Sequence, residues 1–174
     1  MVKCIKNLFR LSSAQMPFLE LVQKIIKLEG GYVNDPHDKG GETKYGISKR
    51  SFSEYDIANL TIDTAIDLYR THYWKPSKAE KLPKKITGQY FDMVVNLGQG
   101  NAVKTLQKAI NSGTKNKIVV DGRIGSQTIK AAQGLDPLRL AAYRIKYYTD
   151  IISKNPIQEK FYFGWFKRVL KWHE

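Results

Sequence analysis

Apolar residues recur at helical spacing through most of this chain, and the alternating strands that a parallel sheet needs are missing. Phe18, Leu21, Val22, Ile25, Ile26 and Leu28 predict a helix over 17–28. Pro17 suits its first turn and Gly30-Gly31 its end. Ile62, Ala65, Ile66, Tyr69 and Tyr73 predict a second over 62–73. There Thr61 is the expected N-cap, and Asp63 sits where a carboxylate suits the helix dipole. Further helices are expected near 48–55, over 86–97 and 100–111, from a Ser126 cap to about 133, over 137–153 and over 157–172. Pro76 and Pro83 bracket a loop, and Asp121-Gly122 marks a tight turn. The fold class is mainly α.

One stretch breaks the pattern. Residues 30–48, GGYVNDPHDKGGETKYGIS, are rich in glycine and Asx residues and read as loop and turn. Short strands are expected around 32–33 and 45–47. A loop this long inside a compact domain is usually functional. Glu29 stands just before it, at the C-terminal end of an apolar helix. The negative end of the dipole and apolar neighbours both disfavour an ionised carboxylate there, which suits a general acid. Asp38 follows nine residues later across a glycine-rich turn. Glycoside hydrolysis needs two such groups, one to protonate the leaving oxygen and one to assist water or stabilise the cation. Thr43 can hold the water. The same residues also suit plain structural roles, since glutamates often end helices and Asp in a turn often bonds its own backbone.

Other chemistries fit poorly. A calcium loop starting at Asp35 would need ligands where His37 and Lys39 stand. A phosphate loop on Gly41 to Gly46 would need lysine in place of Ile47. The lone Cys4 excludes an internal disulfide, and His37, His72 and His173 lack metal-ligand spacing, so neither metal nor cofactor is expected. No apolar run nears the roughly 20 residues of a spanning helix.

The 174 residues carry 29 Lys and Arg against 16 Asp and Glu, a net charge of +13. The excess is +5 over 1–90 and +8 over 91–174, so it is distributed along the chain. It favours an anionic polymer as partner, with nucleic acid, a membrane surface and bacterial cell wall as the candidates. A merely soluble basic surface explains it equally well. At the N-terminus, Lys6 and Arg10 interrupt what a signal peptide would keep apolar, so residues 1–15 read as an extension.

The segment EGGYVNDPHDKGGETKYGIS resembles the signature of glycoside hydrolase family 108, lysozyme-like muramidases. HYWKP, YFDMVVNLGQGNAVKTLQKAI, VDGRIGSQT and FYFGWFKRV follow in the family's order, so the resemblance covers nearly all of 17–172. It implies a lysozyme-like helical domain with a small loop or β element at the active site. It also implies a catalytic acid at Glu29, the glutamate before the double glycine. The Glu-x8-Asp spacing is similar to that of phage-type lysozymes, although Thr43 falls one residue short of their threonine. The resemblance divides the chain into an extension (1–16), a lysozyme-like region (17–93) and a helical region (94–174) similar to a peptidoglycan-binding segment within the same globule.

The resemblance sets Asp92 and Asn96, one helical turn apart, beside the cleft, where both can touch substrate. A bridging role for Asp92 within the helix bundle is nearly as well supported. Tyr32, Tyr45, Tyr73 and Trp74 are candidates for stacking on sugar rings, whereas Phe161, Phe163, Trp165, Phe166 and Trp172 read as packing. The expected protein is a monomeric muramidase acting on bacterial peptidoglycan, with anionic lipid as a further surface and no nucleic-acid partner. An endolysin held in the host cytoplasm until release to the wall is the preferred setting. The alternative is a wall-binding or secretion accessory protein that does not cut.

Overall fold

The computed structural model describes residues 16–34 and 41–173. The chain divides between His72 and Tyr73 into two compact units. The fold is mainly α, with one two-stranded sheet.

In the first unit, helix α1 spans Met16–Glu29 and α2 spans Ile62–Tyr69. The two pack against each other. Phe18, Val22, Ile25 and Ile26 of α1 are buried, as are Ala65, Ile66, Leu68 and Tyr69 of α2. Thr61 caps α2 as its sequence position requires, its hydroxyl accepting from the Thr64 amide at 3.2 Å. Between the helices, β1 (Thr43–Lys44) and β2 (Ile47–Ser48) form an antiparallel hairpin. Val33 extends it by a bridge to Thr43, with both amide bonds at 2.8 Å.

Two local expectations fail in this unit. Tyr45 and Gly46 are the turn of the hairpin, not part of a strand. No helix forms over 48–55. Ser48 offers its own hydroxyl to the Ser51 amide (3.3 Å) and to the Ser51 hydroxyl (3.1 Å), which competes with a backbone ladder. Phe52, Ile57 and Leu60 are nonetheless buried, so the segment is held by its side chains through a series of single turns.

The chain after α2 widens into a π-helical turn, Arg70–Trp74, and then a single helical turn, Lys75–Ser77. Pro76 therefore lies in helical backbone, not at the edge of a loop. Proline has no N–H to donate and crowds the preceding turn, so the register shift falls where an α ladder would fail.

In the second unit, α3 (Lys84–Leu97), α4 (Gln99–Ser112) and α6 (Pro137–Lys154) pack mutually, and α7 (Tyr162–Leu170) lies on α6. Gly98 separates α3 from α4 with φ of +77°. Short α5 (Ser126–Ala131) starts after Gly125, so Ser126 is its first helical residue and makes no capping bond. The closing segment is a 3-10 stretch, Pro156–Phe161, followed by α7. Trp165 stacks on Tyr148 at 4.8 Å, in a cluster with Ala141 and Val169. Phe161 and Phe163 stay exposed instead of packing as expected, with Phe163 at 70%. Among the described residues no helix is long and apolar enough to cross a membrane.

Candidate active site

Glu29 is the last residue of α1 and is half-buried. Its helix ends at Gly30, whose φ of +84° turns the chain away and whose amide still reaches Ile26 O at 3.2 Å. The hairpin turn packs against the stem of the Glu29 side chain. Tyr45 and Gly46 both have positive φ, +54° and +77°, the signature of a two-residue turn that matches strand twist. Gly46 is needed twice over. Its backbone conformation favours glycine, and a Cβ there would collide with the Tyr69 hydroxyl and lie 2.7 Å from Glu29 Cγ. Fully buried Tyr69 donates its hydroxyl to Tyr45 O at 3.0 Å. The end of α1, the hairpin turn and α2 thus converge on the stem of Glu29.

Thr43 lies on β1, two residues before that turn, and is half-buried. Its hydroxyl donates to Gly41 O at 3.5 Å, the limit of a hydrogen bond. Tyr32 is exposed and donates to Glu42 Oε1 at 3.0 Å. That bond to a carboxylate raises the Tyr32 pKa above its usual value, since the phenol must keep its proton to make it. Glu42 is a carboxylate of the loop that motif reading passed over. The run Gly-Gly-Glu-Thr signals it, beside the Asp38 that spacing favours. Tyr45 is half-buried, with Lys44 Nζ 5.6 Å from its ring centre. Asp38 lies outside the described residues.

The candidates of the second unit behave differently. Trp74 is buried and packs edge-on against Phe91 at 4.9 Å, so it is a core ring and not a stacking platform. Asp92 is fully buried. Arg168 reaches it through Nη2 at 2.7 Å and Nε at 3.0 Å, and Arg144 Nη2 lies 2.6 Å from its other oxygen. Burial alone would raise the Asp92 pKa, but the two guanidiniums outweigh it and hold the carboxyl below its ordinary value. With both oxygens engaged inside the bundle, Asp92 has no face for a substrate, and the bridging role is the one the structure shows. Asn96, one turn on, is exposed. Its Oδ1 accepts from the Tyr148 hydroxyl at 2.6 Å, and that hydroxyl accepts from Arg144 Nε at 3.0 Å. The amide of Asn96 is left with its Nδ2 donors for a ligand. Among the described residues no group of three or more His, Cys, Asp or Glu is arranged to hold a metal ion.

Residues 22–98 match the family model described as Glycosyl hydrolase 108. Residues 101–170 match that of a Predicted Peptidoglycan domain. The solved structure of Brucella abortus SagA is similar to this chain at 26% identity and a TM-score of 0.76, with 91% of this chain and 92% of that one covered. No curated protein sequence matches.

Proposed function

We propose, from the premise that this chain belongs to the glycosyl hydrolase 108 family over 22–98 and carries a predicted peptidoglycan domain over 101–170, that it is a peptidoglycan hydrolase. The bond it cuts is the β-1,4 link between N-acetylmuramic acid and N-acetylglucosamine. The observation that carries this reading is the seating of Glu29, a half-exposed carboxyl whose stem is held by Gly46 while Tyr69 fixes the turn. A general acid must be placed within hydrogen-bond reach of the oxygen it protonates, and this seating supports such placement.

In the proposed reaction Glu29 gives its proton to the bridging oxygen as the bond to the muramic-acid anomeric carbon breaks. Positive charge develops on that sugar. Asp38 takes a proton from the attacking water or stabilises the charge, and Thr43 holds the water by its hydroxyl. The water's oxygen bonds to the anomeric carbon, and its proton returns the acid and base to their starting states. Tyr32, Tyr45 and Asn96 are the remaining candidates for sugar contacts.

The test is digestion of purified peptidoglycan by the wild type and by Glu29→Gln, with borohydride reduction and mass spectrometry of the fragments. Muramic acid at new reducing ends from the wild type alone is the expected result. Glucosamine at those ends would change the bond assigned. Full binding to the wall with no fragments would replace the hydrolase by a wall-binding accessory protein. An endolysin setting, with the enzyme waiting in the host cytoplasm, belongs to the same proposal. Expressed cells should then lyse only after the inner membrane is permeabilised.

A further inference from the structure

The second unit holds an open cleft of about 640 Å³, far along the chain from Glu29. Its floor is apolar, from Ile110 at the end of α4 and Leu135 before α6, both buried. Its rim is cationic, from Lys117, Lys130 and Arg139.

Two of these cations are fixed in place. Lys117 donates to Asn111 O and to Thr114 O, which leaves one of its three ammonium protons. Arg139 lies against Gly113 and donates through Nη1 to Ser112 O and Oγ, each at 3.3 Å. Its remaining guanidinium donors have no acceptor among the described residues. Lys130 is exposed and makes no ion pair among them. The one carboxylate of the lining, Asp136, caps α6 by accepting from the Leu138 amide at 2.8 Å. Three cations therefore face the cleft with a single carboxylate, itself engaged by its own helix.

The geometry points to a binding site here for a short peptide that carries free carboxylates and small aliphatic side chains, the chemistry of the stem peptides of peptidoglycan. The volume lies within the range of small-ligand pockets. Charge-assisted bonds from the rim match carboxylates. The apolar floor matches alanine methyls and gives a bare phosphate nothing to bury. The source of the ligand rests on the peptidoglycan reading above, but the site does not depend on catalysis. The wall would then be held by its peptides in this unit and cut at its glycan in the other.

The experiment titrates the full-length, isotope-labelled protein with the stem tetrapeptide alanyl-γ-glutamyl-diaminopimelyl-alanine and follows amide chemical shifts. Shifts confined to 110–118 and 127–139 are expected. A version of the tetrapeptide with every carboxylate amidated should not produce them, and equimolar inorganic phosphate should not compete. Lys130→Glu should weaken binding about tenfold or more, while Lys84→Glu, the same charge change outside the cleft, should not. A folded far-ultraviolet spectrum for both variants secures the comparison. The assignment is overturned by shifts elsewhere, by no shifts, by equal binding of the amidated peptide, or by phosphate competing as well as the peptide. A protein that binds the peptide yet releases no sugar would keep this site and lose the hydrolase. One that cuts glycan yet ignores the peptide would do the reverse.

Discussion

Glu29 and Asp92 are both helical carboxylates, and the chain treats them in opposite ways. Glu29 ends α1, keeps part of its surface in solvent, and is steadied through its stem by a glycine turn. Asp92 sits inside α3, fully buried, with both oxygens taken by Arg144 and Arg168. The role proposed for Glu29, to give up and regain a proton, calls for an open side and a firm root. A carboxyl that ties three helices together needs every lone pair satisfied, because an unpaired buried charge costs more than the pair returns.

The contrast is sharpest in single substitutions. Glu29→Gln should lower glycan cleavage at least ~10²- to 10⁴-fold, the usual reach of a general acid, with the melting temperature unchanged. Chain-end release and calorimetry on the same sample would show whether the two readouts separate. Asp92→Asn should do the opposite and cost about 3–5 kcal/mol of stability, since Arg144 would be left buried without its partner. Urea unfolding measures that loss, and a change below about 1 kcal/mol would remove the structural role assigned to Asp92.

Gly46→Ala joins the two kinds of effect. A Cβ at φ of +77° is strained and would push on Tyr69 and Glu29, so about 1–3 kcal/mol of stability and much of the activity should go together. Tyr69→Phe, which removes the hydroxyl and with it the bond to Tyr45 O, should keep the fold and lower activity by a smaller factor. If Gly46→Ala lost stability alone, the seating of Glu29 would not depend on the turn.

Acid sharpens the comparison further. The folded Asp92 carboxyl has a pKa below its unfolded value of about 3.9. Its contribution is therefore fully present above the unfolded pKa and is lost as pH falls through the folded one. Stability of the wild type should drop on acidification through this window, and Asp92→Asn should show a flatter profile there. The smallest effect expected is from Thr61→Ala, about 1 kcal/mol for a lost N-cap, measured by the shift in urea midpoint.

Reading the chain without its structure succeeds where local chemistry is decisive. Helix α1 and its glycine end, Thr61 as a cap, and α3 and α4 with their break at Gly98 follow from apolar spacing and helix-end residues. Each depends on neighbours three or four positions away, which sequence displays directly. The serine-rich 48–55 stretch defeats the same method, because hydroxyls compete with the ladder while Phe52 keeps its burial.

The site divides along the same line. Glu29 before Gly30-Gly31 is visible as a motif, and so are the turn-forming residues after it. Tertiary packing alone decided that Gly46 and Tyr69 seat Glu29, that Trp74 is core, and that Phe163 is not. Asp92 and Asn96 share one helix face in the sequence, yet one is locked between arginines 52 and 76 positions away and the other reaches the surface. Helical periodicity tells which residues point the same way. What they meet there is set by chain segments brought in from far along the sequence, and burial and charge pairing depend on that meeting.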